Sequence, residues 1–495
     1  MRYVGRVSEQ STYSAKLVFG LLGIFLGVIL MLKVAEWAIF AVGALMVYTL
    51  TQKRVEYTFF VLVLFSALSV VNPVIVKKGF AFYLITRGAL FTLALAMTTR
   101  SGFQKTMWFM SPFYLLFGYV LYMMATSLSG WAPIVSELKA VLFLVFMSAL
   151  VQTVSVVSLS GVDSRKIRAV MAAVSVFYLV GSVAVIPFPS IGQSMMMSLM
   201  EGTAGSELSG LYNGLTWHSQ TLGPLVAMLN AFIFSDFLCN FKKKDYLYSV
   251  LLISAPILVY KSSSRTAFFG YMISILATLF FFNRDRNAKR SRKANVLMAG
   301  LFVGAIAILV IAIHPGASQN LEAFLRKTQD VDVMAARGTL TEDLAQSRMG
   351  QVEIGMANFR KSPVIGNGFQ VSEEMQFMDK SETGFVLSAP IEKGVLPVMV
   401  LEEGGVVGAA IFAMFIFAIY WKYSQLRFTC FLSTFTVFIA LNSGEASFFS
   451  TSGSGGILWL ICFSALLLDL DRLRLLKAER QGIQSQEAFL RRYKV

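Results

Sequence analysis

Apolar runs of about 20 residues recur from Leu17 to Leu470, each closed by charges or a turn, and such a chain satisfies its backbone best as helices crossing a bilayer. A hydrocarbon core of roughly 30 Å takes about 20 residues at about 1.5 Å each. Fourteen runs qualify, at about 17–34, 36–52, 56–76, 80–98, 107–126, 134–159, 167–187, 217–238, 245–260, 264–283, 294–313, 394–421, 426–443 and 453–470. The expected fold is therefore all-α, a polytopic transmembrane helix bundle of about 12–14 spans. With 56% hydrophobic and 14% charged residues, the chain leaves no room for a separate soluble domain of ordinary size. The first run follows a basic N-terminus and lacks a small-residue cleavage site, so a retained helix is expected rather than a signal peptide.

The net charge of +15 is explained by the bias of Lys and Arg toward short cytoplasmic loops, and no nucleic-acid partner is needed. With the N-terminus inside, the inside segments collect 28 of the 43 basic residues, including "KKK" at 242–244 and "RDRNAKRSRK" at 284–293. Orientation is thus expected to be N-in and C-in, with "VIVKK" at 74–78 the one short outside stretch that argues against it. The chain divides into spans 1–11 over 1–313, with an outside loop at 188–216, a large periplasmic loop at 314–393, spans 12–14 over 394–471, and a basic cytoplasmic tail at 472–495. Cys239, Cys430 and Cys462 show no metal-ligand spacing, and no structural disulfide is expected.

The large loop carries helix signatures of its own. Thr339 and Glu342 fit a capping box, and Met349, Val352, Met356 and Phe359 recur at helical spacing opposite Gln351, Glu353 and Arg360. Such a helix either lies over the mouth of the bundle at the membrane surface or packs on the rest of the loop. The spacings Gly23 with Gly27 and Gly404 with Gly408 suit close helix packing.

Charges placed among the spans are the candidates for chemistry. In "KSSSRT" at 261–266, Ser262 or Ser263 can cap the following helix, and Arg265 then falls in its first turn at the outer face. A guanidinium, serine hydroxyls including Ser264, and free N–H groups make a cradle for phosphate or pyrophosphate. A snorkelling interfacial arginine is the plainer alternative. Glu402 and Glu403 lie near the outer end of a span, where a carboxylate is costly unless it faces protein or water. Glu445, in the last outside loop, is a weaker candidate of that kind.

"SSSRTAFFGYMISIL" resembles the Ser-x-Ser-Arg-Thr segment of the bacterial O-antigen ligase and polysaccharide polymerase family. Three further segments fall in that family's order: "GLYNGLTWHSQTLGPLVAM" at 210–228, "SRMGQVEIGMANFRKSPVIGNGF" at 347–369, which ends in Pro-x-x-Gly-x-Gly, and "LEEGGVVGAAIF" at 401–412. The likeness covers about the C-terminal 300 residues. It implies an inner-membrane enzyme that transfers a glycan from undecaprenyl pyrophosphate at the periplasmic face to a glycan or lipid acceptor. Partners of that kind of system include a chain-length regulator and export proteins. The chain departs from the ligase branch where a His-Asn pair is usual, reading "PIEKGVLPVMVLEEGG" instead, which implies either different chemistry with Glu392 and Lys393 in the vacated region or, the favoured expectation, an acceptor other than lipid A core with that different chemistry as its corollary.

Departure of a pyrophosphate calls for positive charge on the leaving group, for which Arg265 and Arg348 rank first and Lys393 and Arg360 second. A hydroxyl acceptor benefits from a general base, for which His218, Glu392 and Glu403 are the candidates. His314, the only other histidine, reads as a helix-end residue. No metal-ligand cluster, P-loop or dinucleotide fingerprint occurs in the sequence, so no cofactor is expected. The alternative from another class is a transporter or flippase of a lipid-linked or anionic substrate; the long outside loop and the lack of halves with matching broken helices argue against it.

Overall fold

The computed structural model describes residues 55–72, 103–160, 164–192, 212–240, 246–262, 264–284, 340–371, 395–444, 447–451 and 453–492, with a few isolated positions. It is 84% helical, without strands among the described residues. The helices are α1 (Val55–Ser69), α2 (Phe103–Ser127), α3 (Pro133–Ser160), α4 (Ser164–Ala184), α5 (Pro189–Gly192), α6 (Ser219–Asn240), α7 (Tyr246–Lys261), α8 (Arg265–Arg284), α9 (Leu340–Lys361), α10 (Leu396–Gln425), α11 (Thr429–Leu441) and α12 (Gly453–Arg492). α4 contains a π-helical turn at Val176–Val180. The fold is an all-α polytopic membrane bundle, in which α3, α4, α6, α8, α10 and α12 are long and apolar enough to cross a bilayer. The expected spans at 17–34, 36–52, 80–98 and 294–313 lie outside the described residues, apart from isolated positions in the first.

Several boundaries differ from the sequence expectation. α11 has only 13 residues, short of the roughly 20 a span needs, and is buried along most of its length inside the protein. α12 does not stop at 470 but continues to Arg492, because "LRLLKAERQGIQSQEAFLRR" is rich in strong helix formers. Burial sorts the spans into layers: α6 and α12 are 94% and 89% buried and form the centre, whereas α8 and α10, at 39% and 33%, lie at the periphery.

Between helices in lipid, packing and hydrogen bonds replace the hydrophobic drive. Aromatic rings fill the gap among α2, α3, α10, α11 and α12: Tyr119 stacks on Phe449 at 5.5 Å, Phe412 meets Phe448 at 5.3 Å, and Trp459 meets Phe438 and Phe448 at 4.9 Å each. The Trp459 indole donates to the Phe448 carbonyl at 2.7 Å, which fixes the loop before α12 inside this cluster. α6 and α8 approach closely where Gly223 meets Ser264 and Ala267, and where Gly270 meets Ala227 and Leu441. Gly404 and Gly408 likewise seat α10 on Tyr119, Tyr122 and Met123 of α2, as the small-residue spacing predicts. At Gly23 and Gly27 no described neighbour comes within 4 Å.

The two ends of the bundle differ in character. At one end lie the start of α6, α8, α10 and α12 and the finish of α1, α2, α7 and α11. There Val71 bridges Thr216, and Asn72 N–H donates to the Leu215 carbonyl at 2.8 Å, tying the end of α1 to the segment before α6. At the other end Arg168 of α4 donates to both Asp236 oxygens of α6 at 3.0 and 3.2 Å, and Tyr248 of α7 also donates to Asp236. Asp469 of α12 accepts the Phe431 N–H at 2.8 Å in the first turn of α11. The three cysteines are buried thiols.

The turn from α10 to α11 belongs to this second end. Phe428 N–H bonds the Tyr423 carbonyl at 3.0 Å and Arg427 N–H bonds the Ser424 carbonyl at 3.1 Å, the paired bonds of a Schellman cap. Its left-handed residue, usually glycine, is Arg427, with φ of 58°. A side chain in that conformation costs about 1–2 kcal/mol.

Candidate functional site

α10 is broken within its membrane-crossing length. Gly405 has φ 62° and ψ −165°, and the helix resumes after it. In an unbroken helix the Glu402 carbonyl would bond Val406 N–H and the Glu403 carbonyl Val407 N–H. Here all four groups bond instead to the segment that follows α9. Asn367 N–H reaches the Glu402 carbonyl at 3.0 Å and Gly368 N–H the Glu403 carbonyl at 3.2 Å; Val406 N–H donates to the Pro363 carbonyl at 2.9 Å and Val407 N–H to that of Val364 at 3.3 Å. Gly366, at φ 78°, passes against the Glu403 carbonyl where a Cβ would not fit. The segment 363–368 thus fills the break, and it unites two of the four sequence motifs.

Side chains reinforce the junction. Asn358 of α9 donates its amide to the Glu402 carboxylate at 3.1 Å, while Asn367 donates to the Asn358 carbonyl at 2.9 Å and the Glu402 carbonyl at 3.1 Å. On the far side, Ser136 accepts the Phe369 N–H at 2.7 Å, and the buried Lys139 donates to the Gln370 carbonyl at 3.1 Å. Tyr122 donates to the Gly404 carbonyl at 3.2 Å. Gly355 lets α9 close on Val398, so the face of α9 against α10 is set by Gly355 and Asn358. The predicted apolar stripe flanks that face: Met349 is exposed, and Val352, Met356 and Phe359 are half-buried.

The other two motifs meet at the starts of α6 and α8. Ser264 is buried and accepts the Ala267 N–H at 3.3 Å, so the α8 cap falls on Ser264 rather than Ser262. Ser262 sits in the last turn of α7, donating to the Val259 carbonyl at 3.0 Å. Arg265 follows as the first residue of α8 and is half-buried. His218 stands just before α6, half-buried, with Nδ1 accepting the Gln220 N–H at 3.0 Å. A neutral His218 in this arrangement carries its proton on Nε2. Tyr212, in the same motif, donates to the Ser182 carbonyl, and burial pushes its phenol up to about 12.

The loop after α11 joins the two halves. Gly444 packs on Thr266, Asn442 accepts the Leu396 N–H at 2.9 Å, and Phe449 meets Phe369 at 5.3 Å. Glu403 is fully buried beside the break, and Glu402 is 4% exposed. Arg348 lies on α9 two turns before Gly355, with its side chain outside the described residues. Glu392, Lys393, Glu445 and His314 also fall outside them, and Arg360 is exposed. Among the described residues no group of three or more His, Cys, Asp or Glu could hold a metal ion.

The sequence reading missed Lys139, Ser136, Asn358 and Asn367. A lysine within an apolar run is a signal in its own right, and Lys139 carried it. The asparagines stood inside a motif already singled out, without a partner to give them meaning.

No family model matches the chain, and no curated protein matches it. The likeness of the four segments therefore rests on the residues themselves.

Proposed function

We propose that the protein transfers a glycan from undecaprenyl pyrophosphate at the periplasmic face of a bacterial inner membrane, as a polysaccharide polymerase or an O-antigen ligase does. The observation that carries this reading is the meeting of separated motifs: the Pro-x-x-Gly-x-Gly segment fills the α10 break beside Glu402 and Glu403, while the Ser-Ser-Ser-Arg and His-containing motifs pack through Gly223 at the same end. In this reading Arg265, with Arg348 and Lys393 from the loop, balances the negative charge of the departing pyrophosphate. Ser264 still has its hydroxyl proton to donate while it caps α8. In the same reading the proton is taken by Glu403, or by Glu392 of the loop. His218 donates from Nε2 as it stands, and serves as a base at Nδ1 only by releasing the Gln220 N–H.

The test is expression of Arg265→Ala, Arg348→Ala and His218→Ala in the source cell, with glycan length and attachment as the readout. The reading expects shortened or unattached glycan for the arginine variants. Unchanged surface polysaccharide in all three would overturn it.

A second reading has one observation in its favour. A membrane helix broken at mid-sequence is a device of transporters, and α10 has it, whereas the sequence had suggested no such helix. Against a transport path, the break is filled by 363–368. Purified protein that moves lipid-linked glycan across vesicles without forming glycosidic bonds would favour transport.

A further inference from the structure

The segment that fills the α10 break also turns a face to the outside of the protein. Pro363, Val364 and Ile365 are exposed, Val364 by 61%, directly after the exposed charges Arg360 and Lys361 at the end of α9. A run of apolar side chains at a loop tip is unfavourable in water. Its position against α10 indicates another surrounding.

α10 carries an exposed stripe through Val407, Ala410, Met414, Phe417 and Trp421, at spacings of three and four residues. On a helix long and apolar enough to cross a bilayer, such a stripe faces lipid. Phe417 stacks on Trp421 at 5.8 Å, and Lys422 follows, a ring and a cation of the kind that anchor a helix at the interface. From Trp421 to the exposed Val406 the helix rises about 22 Å, less than the roughly 30 Å of a hydrocarbon core. With Trp421 at one interface, the break at Gly405 therefore lies below the other, and any tilt of α10 only deepens it.

The backbone of the tip supplies the second argument. The Pro363 and Val364 carbonyls accept the Val406 and Val407 N–H groups at 2.9 and 3.3 Å. The Tyr122 hydroxyl of α2, which also faces the Gly404 carbonyl, reaches the Ile365 carbonyl at 3.4 Å. Three successive carbonyls of an exposed tip are thus taken by the helices behind it, and proline brings no N–H. Hydrocarbon demands this of irregular backbone, whereas water would serve the same groups at little cost.

We propose that the tip 363–365 is inserted into the apolar layer of the leaflet at this end of the bundle, with Val364 and Ile365 against lipid acyl chains as a continuation of the α10 stripe. Arg360 and Lys361 stay among the headgroups, and the docking of 363–368 on α10 takes place within the bilayer. The proposal is independent of the glycan chemistry.

The experiment uses the full chain in phosphatidylcholine nanodiscs, with a spin label on Val364→Cys or Ile365→Cys. Met414→Cys is the reference in lipid and Glu353→Cys, on an exposed position of α9, the reference in water. The native cysteines are buried, and wild type treated alike gives the background. The readout is the ratio of collisions with oxygen, which concentrates in hydrocarbon, to collisions with a polar nickel complex, which is excluded from it. Labels at 364 and 365 are expected to show a ratio at least about fivefold above that at Glu353 and within about twofold of that at Met414. A ratio matching Glu353 puts the tip in water and overturns the proposal. Few collisions with either reagent mean that another part of the chain covers the tip, which overturns it as well. Wild type without any label gives an independent reading: a diazirine carried on an acyl chain is expected to modify the peptide containing 363–365 as it does that containing Met414. Modification of the second peptide alone overturns the proposal whatever the labelled variants show.

Discussion

The two ends of the bundle bury carboxylates in opposite ways. Asp236 is held by an arginine and a tyrosine from two other helices, a pairing of charge with charge inside the protein. Glu402 is held by the amide of Asn358 and sits beside a backbone break filled by a loop. The ion pair joins α4 to α6, the Tyr248 hydroxyl adds α7, and the pair has no cheap alternative once desolvated. A carboxylate held by the Asn358 amide depends on α9 staying docked. The first arrangement suits a fixed frame; the second ties the burial of Glu402 to the docking of α9.

Asp236→Ala tests the frame and has the largest expected effect. It leaves the half-buried Arg168 without the Asp236 carboxylate, and a loss of up to about 3–5 kcal/mol is expected, read as a lower thermal midpoint in detergent. The double replacement Arg168→Met with Asp236→Leu is expected to recover most of it; a single variant as stable as wild type would break the contrast between the ends. Gly405→Ala comes next, because a Cβ there meets the Val364 carbonyl in a conformation that disfavours any side chain. A loss of about 2 kcal/mol or more is expected, with protease sensitivity rising in 340–371 and not at the opposite end.

Asn358→Ala sharpens the comparison, since it removes the amide that donates to the Glu402 carboxylate. About 1–3 kcal/mol is expected, with faster hydrogen exchange at Val406 and Val407 and no change around Asp236. The smallest effect belongs to Lys361→Ala. Lys361 pairs with Glu373 at 2.5 Å and lies 5.6 Å from the Trp131 ring, but both charged side chains are 49% exposed. Under about 1 kcal/mol is expected, within the error of most unfolding curves.

The helical fold was legible because the bilayer imposes a length on every span. The runs 134–159, 217–238 and 264–283 match α3, α6 and α8 to within a residue or two. Less legible was anything set by distant partners. "LEEGGVVG" has nothing in it that distinguishes a straight helix with small residues from a broken one, because the break is decided by 363–368, some 40 residues earlier. Likewise the cap moved to Ser264 because Ser262 was absorbed by the end of α7, a choice among adjacent serines that local chemistry leaves open. Glu402 and Glu403 drew notice because they sat in a motif, and both are buried. Lys139 sat in none and passed unnoticed.

The docking at Gly405 also bears on how the molecule is made. Chains emerge from the ribosome N-terminal end first, so 363–368 is synthesised before α10 exists. A break with four open backbone groups would be severely penalised in hydrocarbon, whereas a continuous helix satisfies them by itself. Membrane insertion and final shape are thus separable events for α10: it can enter the bilayer straight, then exchange two of its own hydrogen bonds for four from the waiting segment. The late step of assembly at this end would be a helix opening onto a part of the chain delivered ahead of it.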